Sequence, residues 1–246
     1  SLAMVELRVP EFASALANLQ KAESLKPNPG TSFNIALCLM NLARFDEASA
    51  RVEQLMKELP ASDVQEKEKL QDLCQTIYGQ TLLLRGQPKA LLAWMKKTPG
   101  RPGAAGDLAV LRVQALVETG EFSSAKTALM EGAKLYPDRP FFKAAATLPA
   151  PGKESKARLR QLDLQTTAEM WASFGQWQTC LDTLVKAESL GAPEDADMLL
   201  LKANAFDQLD RPEDNLRALR AAQKLAPANA TLQNNLGYLL LDHGGD

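Results

Sequence analysis

Apolar residues recur three and four positions apart along most of the chain, and no β-branched-rich alternating run of the kind that marks a half-buried strand appears. The clearest window runs from Pro29 to Pro60, PGTSFNIALCLMNLARFDEASARVEQLMKELP. It holds two segments of helical periodicity, 32–42 and 47–59, joined by the tight turn Ala43-Arg44-Phe45-Asp46. This pattern predicts one helical hairpin. Small Ala36 and Ala48 fall where the two helices would cross, and the larger Ile35, Leu39, Phe45, Val52 and Leu55 flank them. Pro60 stops the second helix, because its ring cannot donate to the backbone ladder.

The same arrangement recurs. With Ala43 as the marker of the turn, the equivalent turn residues are Pro10, Ala43, Gly86, Gly120, Gly175, Asp210 and Gly244, at steps of 33, 43, 34, 55, 35 and 34 residues. The small residue opening each second helix returns as Ala15, Ala48, Ala125, Cys180 and Asn215. An aromatic precedes it at Phe12, Phe45, Phe122 and Trp177, and a terminating proline follows at Pro27, Pro60, Pro137 and Pro227. This order of small residue, turn, aromatic, small residue and proline resembles the tetratricopeptide repeat, a two-helix unit of about 34 residues. The resemblance implies an all-α fold, a right-handed superhelical solenoid of helix-turn-helix hairpins, in which each unit touches only its neighbours. A chain of 246 residues can then lengthen one core without thickening it.

The expected organisation is a single solenoid over 1–246: a partial repeat at 1–28, repeats near 29–62, 72–103, 106–139, 161–195 and 196–229, and a partial repeat at 230–246. Both chain ends read as cut within a repeat, so a continuation or a neighbouring chain is expected to cover the last helix. The charged, helix-favouring stretch 61–70 predicts a lengthened first helix rather than a loop. The insertion 138–159, with Pro140, Pro149 and Pro151, predicts a short helix, a Pro-rich turn and a long basic helix, and is where a bend is expected. The unit 71–98 fits least well. Leu91 replaces the small residue of its second helix, which should be short.

Composition narrows the chemistry. A net charge of −2 gives no basic footprint for nucleic acid, and no apolar run approaches the roughly 18 residues of a membrane span. The opening residues lack the pattern of a signal peptide, and the compartment stays open between cytoplasm and periplasm. Cys38, Cys74 and Cys180 have neither metal-ligand nor CxxC spacing and read as buried small residues. The single histidine, His243, sits in a turn position beside a polar end. The segment Gly100-Arg101-Pro102-Gly103-Ala104-Ala105-Gly106-Asp107 lacks the Lys-Ser/Thr of a phosphate loop and reads as a connection whose Asp107 caps the next helix. Trp171 and Trp177 are expected in the core. No catalytic, metal or cofactor site is expected.

The resemblance also implies which first-helix positions line a concave groove: those 13, 10, 6, 3 and 2 residues before the turn marker. Thirty such positions include six acids and neither Lys nor Arg, in a chain with 28 basic residues. The expected partner groove comprises Gln114, Val117, Glu118, Glu169, Asp197, Leu200, Asn204, Asp207, Asn234, Tyr238 and Asp242, with its N-terminal part mainly apolar. Relatives that grip acidic chaperone tails use inward Lys and Asn, but Phe33 and Leu37 stand there. The expected role is a non-catalytic protein-interaction scaffold whose partner segment carries basic and apolar residues. The alternatives are a regulatory or substrate-recruiting arm of a longer enzyme, or a homo-oligomerisation module working through the terminal helices.

Overall fold

The computed structural model describes residues 9–58, 64–98, 100–145, 153–190 and 195–242, all of whose regular structure is helical. The chain divides into two compact units, residues 1–149 and 150–246. The first holds α1 (Val9–Leu25), α2 (Pro29–Asn41), α3 (Phe45–Glu58), α4 (Val64–Leu84), α5 (Pro88–Lys97), α6 (Ala105–Glu118), α7 (Phe122–Leu135) and α8 (Pro140–Ala145). The second holds α9 (Lys153–Ser173), α10 (Trp177–Ser189), α11 (Ala196–Gln208), α12 (Pro212–Leu225) and α13 (Ala230–Asp242).

Five hairpins close in the same way. The marker residues Ala43 (φ 56°), Gly86 (66°), Gly120 (80°), Gly175 (66°) and Asp210 (56°) are all left-handed. Each ends a first helix in a Schellman turn: the marker N–H donates three residues back, and the next N–H donates five residues back, as Arg44 N to Leu39 O at 2.8 Å and Glu121 N to Leu116 O at 2.8 Å. Glycine stands at three of the five markers because a Cβ there costs energy. The second helix starts two residues past the marker every time, at Phe45, Pro88, Phe122, Trp177 and Pro212. Its first free N–H groups are served by the turn itself, as Ala48 N by Arg44 O and Ala125 N by Glu121 O. Two of the first helices instead use side-chain caps: Asn28 Oδ1 accepts from Gly30 N at 2.8 Å, and Asp195 Oδ1 from Met198 N at 2.7 Å. Second helices stop two residues before a recurring proline at Leu25, Leu135 and Leu225.

The irregular stretches follow the sequence. Helix α4 is 21 residues long, whereas α5 has 10. The insertion folds as the short α8 and the long α9, its Pro-rich turn at 149–151 lying outside the described residues. Pro10 lies within α1 rather than in a turn, and Gly244 and His243 lie outside the described residues.

Packing in each unit is set by small residues. Ala36, Ala48, Ala125 and Cys180 have no exposed surface, and Leu91, the one large residue at this second-helix position, is equally buried. Its larger side chain is accommodated because the facing residue is Gly79, where an added Cβ would lie 3.5 Å from Leu91 Cδ1 and 2.9 Å from Leu111 Cδ1. At the end of the first unit, Phe142 of α8 inserts over Gly132 of α7 and stacks on Tyr136 at 6.2 Å. In the second unit one cluster joins Ala168, Cys180, Leu184 and Met198, and another joins Leu199, Ala203, Ala218, Leu219, Ala222, Leu232 and Leu239. Trp171 packs at the edge of the first of these clusters and, like Trp177, is half-buried rather than fully enclosed.

Ion pairs reinforce these contacts: Arg51 to Glu23 at 2.8 Å and Arg101 to Asp72 at 2.9 Å within unit one, and Lys202 to Glu188 within unit two. Partly exposed pairs contribute about 0–1 kcal/mol each, so the buried crossings dominate. Replacing Ala125 by Arg should therefore lower stability by about 3 kcal/mol or more, through overpacking and a buried charge. Urea titration followed by circular dichroism tests this, and an unchanged midpoint would place Ala125 away from the crossing.

Candidate functional site

Among the described residues no group of three or more His, Cys, Asp or Glu is placed to hold a metal ion. All three thiols are buried. Desolvation pushes Cys74 and Cys180 up to about 12, and the nearby Glu169 charge adds to the effect at Cys180, which leaves both thiols protonated and poorly nucleophilic at neutral pH.

The glycine-rich connection before α6 is held by protein groups. Arg101 N donates to Gln75 Oε1 at 3.0 Å, Arg101 Nε to Asp72 Oδ1 at 2.9 Å, and a Cβ on Gly103 would strike Asp72. Asp107 is not the helix cap expected of it. Helix α6 starts at Ala105 after Ala104, so Asp107 falls in the first turn and pairs with Arg139.

The residues expected to line a groove separate by unit. In the first, Gln114 and Val117 are buried in the core and only Glu118 is exposed. The cause is the run Val113-Gln114-Ala115-Leu116-Val117, which is almost wholly apolar around the helix, so α6 is enclosed by α4, α5 and α7. These two residues therefore offer no surface to a partner in this conformation. In the second unit, Asp197, Asn204 and Asp207 are exposed and Leu200 is half-buried, all on one face of α11 through their spacing of three and four residues. Glu169 lies on α9, which contacts α11 directly. Asn234 and Tyr238 are exposed on α13, with Tyr238 at 74%. Asp242 ends α13, and its side chain lies outside the description.

Electrostatics tie part of this face together. The Glu169 carboxyl keeps accessible surface, yet desolvation by the surrounding protein raises it above its ordinary value of 4.5, and the charges of Asp197 and Asp195 raise it further. Asp195 had not been marked by the groove spacing. Its cap position, just ahead of a helical period, is the signal that places it here. The cation of α11, Lys202, is bound by Glu188 of α10 and lies mostly buried. Nearby, Gln165 Nε2 rests 2.8 Å from Met198 Sδ, fixing α9 against α11.

The repeating turn, the shared second-helix start and the small crossing residues together define the architecture. The described residues fold as an array of tetratricopeptide-like helical hairpins. No family model matches it, and no curated protein matches it. Among solved structures, PilW, a widely conserved type IV pilus biogenesis factor, shares 18% identity at a TM-score of 0.44, over 92% of this chain and 91% of its own. A tetratricopeptide repeat protein from Parabacteroides merdae shares 10% identity at a TM-score of 0.44, over 94% of this chain and 93% of its own. A thermophilic tetratricopeptide protein of Thermus thermophilus shares 17% at 0.35, over 87% and 100%. At these values the likeness carries no inference about the partner of this tetratricopeptide-like chain.

A raised Glu169 has a consequence for pH. Between 4.5 and its raised folded value, the folded chain holds a proton that the unfolded chain has released, so this group's contribution to stability falls as pH rises through that window. Glu169→Gln should flatten that part of the pH dependence, measured as urea midpoints from about pH 4 to 7. An identical profile in the variant would show that neither burial nor the neighbouring Asp197 and Asp195 charges raise the Glu169 carboxyl.

Proposed function

We propose that the chain is a non-catalytic scaffold that binds a segment of another protein along the first-helix surface of its second unit. The observation that carries this reading is the face of α11, where exposed Asp197, Asn204 and Asp207 flank the half-buried Leu200 while the helix's only cation is occupied by Glu188. Glu169 extends the negative charge onto α9. Such a surface favours a segment with Lys or Arg beside apolar residues. Exposed charge pairs contribute about 0–1 kcal/mol each, so the acids set selectivity and association rate, while apolar contact at Leu200 and Tyr238 supplies more of the affinity. Neither Gln114 nor Val117 contributes surface to this reading. Glu118, in the first unit, is not needed by it.

The test is a selection of random displayed peptides on the purified chain. Enriched sequences should combine Lys or Arg with Leu, Ile or Phe, and their binding should weaken as salt brings the Debye length below about 8 Å. The double variant Asp197→Lys and Asp207→Lys should lose that selection while keeping its helical content. Enrichment of acidic peptides, or affinities untouched by the double variant and by salt, would contradict the reading.

A further inference from the structure

One hairpin departs from the others at a single pair of positions. Three residues before the turn marker and five residues after it stand Met40 and Ala48, Leu83 and Leu91, Val117 and Ala125, Ala172 and Cys180, and then Asp207 and Asn215. The first four pairs are apolar. Met40, Leu83 and Val117 are at most 4% exposed, and Ala48, Leu91, Ala125 and Cys180 have no exposed surface. In the hairpin of α11 and α12 both places are polar, and the two side chains are joined: Asn215 Nδ2 donates to Asp207 Oδ1 at 3.3 Å.

This exchange opposes folding. Asn215 lies at the helix crossing, only 5% exposed, and its Oδ1 is buried with no hydrogen-bond partner among the described residues. A buried acceptor left unsatisfied is destabilising, and the alanine that fills the same place at Ala48 and Ala125 carries none. The amide is nevertheless fixed in its orientation, because turning it over would set its oxygen against the Asp207 carboxylate. What the crossing loses, Asp207 gains. It is exposed on the face of α11 three residues on from Asn204, and its carboxylate makes no other hydrogen bond or ion pair among the described residues. A solvated aspartate moves among its rotamers. One oxygen anchored from the second helix leaves the other to accept from a cation.

We propose that Asn215 is a positioning residue for partner binding: it holds the Asp207 carboxylate in one orientation, so that this place on α11 selects a lysine or arginine side chain of the bound segment. This rests on the acidic face of α11 being the binding surface. It adds a residue that the groove spacing does not reach, since Asn215 belongs to a second helix. The amide touches no ligand and acts through Asp207. An acceptor already held in place spares the bound complex the rotamer entropy of ordering it.

The probe is a labelled synthetic peptide of alternating lysine and leucine, titrated against the full chain beside a second peptide in which glutamine replaces each lysine. Asn215→Ala should weaken binding of the lysine peptide by about threefold to tenfold, the size of one hydrogen bond. Affinity for the glutamine peptide, weaker from the start, should not change. The urea midpoint of the variant should not fall, since the buried acceptor without a partner is removed. In an Asp207→Ala background, Asn215→Ala should alter affinity for the lysine peptide no further, because the two residues act as one unit. Equal affinity of the unaltered chain and Asn215→Ala for the lysine peptide would overturn this assignment and leave the acidic face standing. A lowered urea midpoint, or the same loss for both peptides, would make Asn215 a packing residue and overturn it as well. No binding of the lysine peptide by the unaltered chain would remove the acidic face itself, and the assignment with it.

Discussion

A residue with φ between 56° and 80° closes the first helix of each of five hairpins, and the Schellman hydrogen bonds around it fix where the second helix begins. Because the start is fixed, the fifth residue past the turn meets the seventh residue before it, as Leu91 meets Gly79 and Cys180 clusters with Ala168. Both positions must then be small, or one must yield to the other, as Gly79 does to Leu91. The crossing distance follows from those side chains, and the burial of Ala48, Val52 and Leu55, or of Ala125 and Leu129, follows from the crossing. The exposed edges of the first helices are what this packing leaves over.

The order of elements was legible in the sequence because the turn, the crossing residue and the terminating proline are local signals that recur together. The long α4 and the short α5 could be read for the same reason: charged helix formers precede one, and a Pro-Gly-rich connection follows the other. The cap of α6 was misread because Asp107 lies three residues too late, its charge being used by Arg139 instead. The groove was only partly legible. A fixed offset from the turn assumes that each first helix is equally enclosed, yet α6 buries Gln114 and Val117 while the same offsets on α11 leave Asn204 and Asp207 exposed. How many neighbours surround a helix is a tertiary property, and the apolar run around α6 was its one local sign.

Charge on the second unit follows from the same economy of positions. Small and aliphatic residues occupy the crossing stripe, which leaves the outward face of α11 free for Asp197, Asn204 and Asp207. Burial above all, and then the charges of Asp197 and Asp195, hold the Glu169 carboxyl above its ordinary value, so negative charge is crowded on this side of the unit. Repulsion kept in a folded surface is relieved by a cationic partner, and this links the architecture to the proposed function.

The central claim is that the left-handed turn residue sets the whole geometry. It is tested most directly by exchanging residues at two equivalent turns and measuring unfolding free energies in urea. Ala43→Gly removes a Cβ from a left-handed residue and should stabilise by about 1 kcal/mol, whereas Gly120→Ala adds one and should destabilise by about the same amount. Effects of the same sign at both turns, or none at either, would contradict the account.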